Sequence, residues 1–265
     1  MSIETLPETA SALVAPGKGI LAIDESSATI ARRFAEVGIH NSEANRRAYR
    51  ELLLTAPGLG EWISGVILYD ETIRQSTGDG VPFARYLAEQ GIVPGIKVDK
   101  GTQPLAGCPG EVVTEGLDGL RPRLEEYYKL GARFAKWRAV IHIGDDIPTG
   151  TCIESNSHAL ARFAALCQEQ GLVPMVEPEV LMGGDHDLDA SYEVHLVVLR
   201  SLFIESLEPL RGLPKLRYVN IVSEGELDLE PLTSLPALEE LYLTGVSIAR
   251  PEVLLELAVD TLVIQ

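Results

Sequence analysis

The sequence is poor in cysteine and in basic residues, and each shortage excludes a class of protein. Three cysteines in 265 residues, at positions 108, 152 and 167, are too few and too scattered for a disulfide framework, so we expect a reducing, cytoplasmic compartment. The 22 Lys and Arg residues are outnumbered by 39 Asp and Glu residues, which gives a net charge of −17. A field of that sign repels phosphate backbones and anionic lipids, so we expect no nucleic acid or membrane partner.

Long apolar runs are also missing. No stretch approaches the roughly 18 uninterrupted apolar residues of a membrane-spanning helix. The N-terminal residues Met-Ser-Ile-Glu-Thr-Leu-Pro-Glu lack the basic and apolar regions of a signal peptide, so secretion is not expected. With 46% hydrophobic residues, the chain can form one large domain or two smaller ones.

Short apolar runs rich in β-branched residues alternate with longer amphipathic stretches through the first part of the chain. This order predicts repeated βα units and a parallel sheet. A spacing of about 38 residues per unit is generous for an eight-unit TIM barrel, whose usual size is roughly 250 residues, and too few residues follow Glu179 to complete a barrel at that spacing. The predicted strands lie within residues 19–26, 64–71, 93–99, 132–140 and 172–179.

The last part of the chain contains an internal repeat. Residues 207–221 read LEPLRGLPKLRYVNI and residues 229–243 read LEPLTSLPALEELYL, a period of about 22 residues, and a weaker third copy ends near Ile264. The LxxLxL frame resembles leucine-rich repeats, in which each unit supplies a short parallel strand and a compact connector. Two αβ hairpins that are alike by coincidence are the alternative. We place the domain boundary after residue 203, with the repeat segment over residues 204–265.

Both parts favour parallel strands with connectors on the outside, so the repeats are able to continue the sheet of the first part. We expect an α/β fold in which five βα units of a TIM-type barrel are followed by about three repeat units in one open, curved parallel sheet. A closed hybrid barrel is the second alternative. In the open sheet, Tyr218, Glu240 and Tyr242 would be exposed on a concave face that could bind a protein partner.

Ionisable residues occupy strand positions that should be apolar if a parallel strand is covered on both faces. Side chains two apart on a strand share a face, so these residues are predicted to converge near the strand C-termini, where barrel enzymes place their sites. Buried ion pairs that only neutralise each other are the alternative. The residues are Asp24, Lys97, Lys136, Arg138, Glu177 and Glu179.

Several long motifs at these positions resemble the class I fructose-bisphosphate aldolases. The resemblance runs from about Thr5 to Phe203, so residues 1–203 are interpreted as an aldolase-like partial TIM barrel. The motifs that carry it are GKGILAIDES, GVILYDET, GIKVDKG with the following PLAG, GLDGL, FAKWR, NSHALARFA, and VPMVEPEVL followed by GDHD.

The resemblance implies an activity. Such aldolases cleave fructose 1,6-bisphosphate reversibly into dihydroxyacetone phosphate and glyceraldehyde 3-phosphate in glycolysis, through a lysine Schiff base and with no metal or other cofactor. It implies that Glu177 transfers a proton, that Glu179 tunes the charge beside it, that Lys136 lies near the substrate, and that Asp24 is the carboxylate at the hydroxyl of the cleaved carbon. The residues that it implies for holding phosphate or carboxylate-like oxygens are Arg33, Lys97 and Arg138.

The sequence departs from the family at the iminium-forming lysine. The family carries this lysine on a sixth strand in a Leu-Leu-Lys-Pro-Asn context, which does not occur here. The lysine that follows Glu179 is Lys215, in the connector of the first repeat. Lys215 is therefore one candidate, and Lys136 is another because its neighbour Arg138 would lower the pKa of its amine.

Three interpretations of function stay open. The first is a Schiff-base aldolase. The second is a catalytically inactive aldolase-derived scaffold whose repeat face binds a protein. The third is a fusion of two coding regions with no selected activity. His142 and His186 have no partner at metal-ligand spacing, so no metal site is predicted.

Overall fold

The computed structural model describes residues 5–181, 183–184, 196–200, 206–213 and 216–264. The chain divides into two compact units, each built from several segments. The first unit contains the residues up to Gly101, Gly116–Arg138 and Leu166–Glu177, and the second contains Thr102–Glu115, Ala139–Ala165 and the residues from Pro178 onward.

Strands and helices alternate along most of the chain. The strands are β1 (Gly19–Ile23), β2 (Ile63–Leu68), β3 (Val93–Lys97), β4 (Thr102–Pro104), β5 (Val112–Thr114), β6 (Phe134–Ile141), β7 (Val173–Val180), β8 (Leu196–Arg200), β9 (Tyr218–Leu227), β10 (Glu240–Ile248) and β11 (Thr261–Ile264). The α-helices are α1 (Leu6–Leu13), α2 (Ser27–Glu36), α3 (Glu43–Leu54), α4 (Leu59–Trp62), α5 (Asp70–Ile73), α6 (Phe83–Glu89), α7 (Leu120–Lys129) and α8 (Gly150–Glu169). Short 3₁₀ helices span Glu208–Leu210, Glu230–Ser234 and Pro251–Leu255. Within the described ranges, no helix is both long enough and apolar enough to cross a membrane.

Five strands form a curled half-barrel sheet in the order β1-β2-β3-β6-β7. The pairs β1–β2, β2–β3 and β3–β6 are parallel, and Lys97 of β3 is the register partner of Lys136 of β6. Each of the five predicted strands overlaps one strand of this sheet. The predicted α/β architecture of this part is therefore confirmed.

Local sequence signals fix the ends of the helices. The hydroxyl of Ser26 accepts the Thr29 N–H at 3.3 Å and caps α2, and Ser42 caps α3 in the same way. Gly38 (φ 69°) follows α2 and Gly91 (φ 73°) follows α6, and both take the left-handed conformation that glycine favours. Residue types that suit helix termini therefore stand at these helix ends.

One close approach in the first unit depends on a glycine. A Cβ added to Gly95 on β3 would lie 2.2 Å from Cζ of Phe134 on β6. Phe134 is fully buried, so its ring occupies the space that any side chain at position 95 would need. Glycine at this position allows the aromatic core to pack directly against the strand backbone.

The second unit contains a sheet of four parallel strands in the order β11-β10-β9-β8, besides the antiparallel pair β4–β5. Polar contacts recur here at a separation of 22 residues, since Arg217 pairs with Glu239 and Arg250 pairs with Asp228. The 3₁₀ helices lie in the connectors between successive strands. The buried core of this sheet includes Leu207, Leu210, Leu216, Val219, Ile221, Leu229, Leu232, Leu238, Leu241 and Leu243.

The third predicted copy is less buried than the first two. Leu262 and Ile264 of β11 are 40% and 50% exposed, whereas Leu241 and Leu243 at the matching positions of β10 are at most 1% exposed. The difference follows from position, because β11 is the edge strand of the described sheet. Its apolar residues therefore have no following repeat packed over them within the described chain.

Some expectations for the repeat segment are not met or fall outside the described residues. β8 precedes residue 204 yet pairs with β9, so this sheet has one more parallel strand than the three predicted. Glu240 and Tyr242 are half-buried rather than exposed, and the Tyr242 hydroxyl donates to Glu240 Oε2 at 3.0 Å. The side chain of Tyr218 lies outside the described part.

The continuation from one sheet into the next is not confirmed. Among the described strands, pairing ends at β7 in one sheet and at β8 in the other. Most of the residues between these strands, 182 and 185–195, lie outside the described part. The open curved sheet and the closed hybrid barrel both stay predictions.

Candidate active site

Three of the predicted site residues meet in one ion-paired cluster within the first unit. Asp24 follows directly after β1, Lys136 lies in β6 and Glu177 lies in β7. The Lys136 Nζ atom is 3.1 Å from Asp24 Oδ2 and 2.8 Å from Glu177 Oε2. Two carboxylates from different strands therefore converge on a single ammonium group.

The cluster is mostly shielded from water. The side chains of Lys136 and Asp24 are 9% and 11% exposed, and that of Glu177 is 36% exposed. Burial alone would lower the pKa of Lys136, but its interactions with Glu177 and Asp24 outweigh burial, so the pKa lies above its ordinary value. Lys136 is therefore an ammonium cation at neutral pH, and the low-pKa amine considered from the sequence is wrong.

Lys97 is held by Asp99, which was not among the predicted site residues. Its ammonium group pairs with Asp99 Oδ1, and the Asp99 side chain is 2% exposed. The same carboxylate accepts the Gly101 N–H at 3.1 Å and the Arg138 N–H at 3.3 Å. Asp99 therefore joins the end of β3 to the backbone of β6. The spacing Lys-Val-Asp in GIKVDKG was the available signal.

Arg33 lies in a second cluster around Glu25, the residue after Asp24. Glu25 pairs with Arg33 of α2, whose side chain is 54% exposed, and with Arg50 of α3 at 2.8 Å. Arg50 is 3% exposed and also donates to the Glu25 backbone carbonyl at 2.8 Å. Arg50 was not predicted as a site residue, because charged residues in an amphipathic helix are usually solvated. Glu25, which lies between β1 and α2, was not predicted either.

Two more of the predicted site residues lie on β6 and β7. Glu179 stands two residues after Glu177 on β7, so both side chains leave the same face of that strand. Arg138 is half-buried on β6, two residues after Lys136. Lys215 and His186 lie outside the described residues. In the described part of the chain, no group of three or more His, Cys, Asp or Glu side chains could hold a metal ion.

Comparison with known proteins assigns a family to this arrangement. Residues 5–211 match the family model described as "Glycolytic: Fructose-bisphosphate aldolase class-I". The chain belongs to the class I fructose-bisphosphate aldolases. The earlier resemblance to this aldolase family is thereby confirmed.

Curated relatives agree with this assignment. The chain is 76% identical over 203 residues to "Probable fructose-bisphosphate aldolase class 1" of Xanthomonas campestris pv. campestris, a match that covers 77% of this chain and 61% of the relative. It is 54% identical over 200 residues to "Fructose-bisphosphate aldolase 5, cytosolic" of Arabidopsis thaliana, covering 76% of this chain and 56% of that protein. The aldolase chain thus spans about 60% of the length of these relatives.

A solved structure shares the fold. The fructose-bisphosphate aldolase from Plasmodium falciparum, solved in complex with TRAP and a small molecule inhibitor, superposes with a TM-score of 0.71 at 35% sequence identity. The match covers 92% of this chain and 76% of that chain.

Proposed function

We propose that this chain acts on fructose 1,6-bisphosphate as a class I aldolase, with Asp24, Lys136, Glu177 and Glu179 as its catalytic groups. The observation that carries the proposal is the ion-paired contact of Lys136 with both Asp24 and Glu177. Carboxylates beside a fixed ammonium are suited to proton transfer near a developing charge. The products are dihydroxyacetone phosphate and glyceraldehyde 3-phosphate.

The proposed chemistry is cleavage of one carbon–carbon bond. Asp24 takes the proton from the hydroxyl on the cleaved carbon while the bond electrons move into an iminium formed from a lysine and the ketone. Glu177, with Glu179 beside it on the same strand face, then receives that proton from Asp24 and delivers it to the carbanion carbon. Where another lysine forms the iminium, the Lys136 ammonium stays charged and stabilises the negative charge on its two carboxylate neighbours.

The proposed phosphate ligands are Arg33, Lys97 and Arg138. Lys97 is 19% exposed and Arg33 is 54% exposed, so part of each cation can reach a bound anion. Each is also paired with a carboxylate, Glu25 or Asp99, which holds the side chain in place before the substrate arrives. Phosphate oxygens accept hydrogen bonds from both guanidinium and ammonium groups.

The experiment is a cleavage assay on the purified chain, combined with trapping of the iminium. Borohydride reduction in the presence of dihydroxyacetone phosphate should leave a covalent adduct that mass spectrometry locates on one lysine. Lys215→Met and Lys136→Met test the two candidates, and Lys129→Met, at an exposed ion pair on α7, is the matched control. Absence of both cleavage and adduct in the wild-type chain would overturn the proposal.

A second candidate function is an inactive scaffold with a leucine-rich-repeat binding face. The missing Leu-Leu-Lys-Pro-Asn motif favours it, and the recurrence of strands and ion pairs at about 22 residues supports a repeat segment over 204–265. In this case residues 1–203 serve as support and the repeat face binds a protein. Full-length wild type and a Tyr242→Ala variant should differ in partner recovery, and equal recovery would count against this function.

The proposed compartment is the cytoplasm. The printed names of two relatives, from Arabidopsis thaliana and Spinacia oleracea, describe cytosolic or cytoplasmic aldolases. The three free cysteines agree with a reducing environment. Fractionation of cells that express a tagged chain would test the assignment.

A further inference from the structure

A buried carboxylate with two thiols beside it lies in the second unit. Glu111 is 3% exposed and directly precedes β5, after the loop that joins β4 to β5. It accepts hydrogen bonds from the Thr149 N–H at 2.7 Å and from the Thr149 hydroxyl at 2.6 Å. Thr149 directly precedes α8, so the carboxylate joins the β4–β5 hairpin to the start of this helix.

Both thiols belong to this cluster. Cys108 lies in the hairpin loop and Cys152 lies in the first turn of α8, and both stand beside the Glu111 carboxylate. The Cys152 thiol donates to the Val112 carbonyl at 3.8 Å. Cys108 Sγ is 3.9 Å from Thr149 Oγ1, which accepts the Cys152 N–H at 3.2 Å. Two cysteines that are far apart in sequence are therefore gathered around one carboxylate and one hydroxyl.

The two thiols differ in access. Cys108 is partly exposed and the loop around it is exposed, whereas Cys152 is 1% exposed. Burial and the negative charge of Glu111 raise the pKa of the Cys152 thiol to about 11. An external reagent therefore reaches Cys108 first, and Cys152 reacts only once a partner is beside it.

We propose that Cys108 and Cys152 form a reversible intramolecular disulfide by exchange with a small-molecule disulfide such as glutathione disulfide. In the first step the Cys108 thiolate attacks one sulfur of the reagent, forms a mixed disulfide and releases one glutathione thiolate, which takes up a proton. In the second step Cys152 passes its proton to Glu111 and attacks Cys108 Sγ. The second glutathione leaves as a thiolate and receives that proton. The two cysteines are oxidised and the reagent is reduced to two thiols.

The bond would tie the hairpin covalently to α8. At present the Glu111–Thr149 hydrogen bonds and the Asn156 contacts with the Val112 carbonyl at 2.9 Å make this connection. A disulfide there would restrict the loop Leu105–Gly110, so proteolysis and hydrogen exchange in this loop should slow on oxidation. Cys167 is not a partner in this proposal, because it is fully buried and burial raises its pKa.

The test is a titration of the folded full-length chain with glutathione disulfide, followed by mass spectrometry of the intact chain and of its peptides under non-reducing conditions. The wild type should lose the mass of two hydrogen atoms and yield one peptide pair that links Cys108 to Cys152. Cys152→Ser should stop at a stable glutathione adduct on Cys108. Cys108→Ser should not react.

A further variant separates the two steps. Glu111→Gln removes the proton acceptor, so closure of the disulfide should become slower relative to formation of the first adduct than it is in the wild type. Circular dichroism of each variant confirms that the fold is retained. A wild-type chain that stops at the Cys108 adduct, or that links Cys167 instead, would overturn the proposal, and so would a link that forms equally well in urea.

Discussion

Replacing Lys136 with methionine would test the ion-paired cluster most directly. The substitution keeps an unbranched side chain of similar length but removes the ammonium group that contacts both Asp24 and Glu177. Two negative charges then face each other in a site where the Asp24 side chain is only 11% exposed. The variant therefore separates the electrostatic role of Lys136 from its packing.

The expected cost follows from how deeply each partner is buried. Removing one partner of a buried pair costs about 3–5 kcal/mol, because the remaining charge is left unpaired. Glu177 keeps 36% of its side chain exposed, so water screens part of this cost. We expect the free energy of unfolding to fall by about 3 kcal/mol at neutral pH.

Urea unfolding provides the measurement, with tryptophan fluorescence as the signal, because Trp137 is fully buried next to Lys136. Lys129→Met is the matched control, since the exposed pair with Glu125 should contribute less than about 1 kcal/mol. In a double-mutant cycle, Asp24→Asn should cost less in the Lys136→Met background than in the wild type. Equal losses for the two lysine variants would refute the electrostatic reasoning.

Three further predictions concern pH and packing. Since the pKa of Lys136 is raised above its ordinary 10.5, its contribution to stability is fully present below that pH and is lost only as the pH rises through the folded-state pKa. The stability difference between wild type and Lys136→Met should therefore be equal at about pH 7 and about pH 9, and a smaller difference at the higher pH would contradict this. Leu241→Ala should lower the free energy of unfolding, measured in urea, by about 2–5 kcal/mol. Leu262→Ala, at a 40% exposed position, should lower it by less than about 1 kcal/mol. Similar losses for the two variants would mean that the two repeats are equally buried. Gly95→Ala should destabilise the chain by about 1–3 kcal/mol, measured as a lower Tm, because its methyl group would meet Phe134 Cζ at 2.2 Å; an unchanged Tm would show that the ring can move aside.

The parallel strands of the first unit were predictable because each is a short apolar run between helix signals. The hairpin strands Thr102–Pro104 and Val112–Thr114 were not, because three residues are too few to show a period. β8 was also missed, since an apolar run such as Leu196–Arg200 fits a strand and a buried helix equally well. These three strands were therefore missed because they are short, and not because of their composition.

For the candidate site, the sequence indicated which residues gather but not how they pair. Asp24, Lys136 and Glu177 were expected together because inward-facing residues near the C-terminal ends of barrel strands converge, even from strands that are not neighbours. Lys97 pairs with Asp99 and not with a carboxylate of the other cluster. This pairing depends on side-chain conformations, which the periodicity of the sequence does not encode. The pairing of Arg50 could not be predicted either, because its position in the helix gives no sign that it is buried.

These pairings also restrict the amine that could form an iminium. A lysine attacks a ketone only as a neutral amine, and an ammonium held by a carboxylate stays protonated. Among the described residues, carboxylate-paired lysines are Lys97, Lys129 and Lys136. Cleavage by this chain therefore requires either an amine outside this set, such as Lys215, or opening of the Lys136 ion pairs by the substrate. A borohydride adduct mapped to Lys136 would establish the second route, because only release from both Asp24 and Glu177 would free its amine to react.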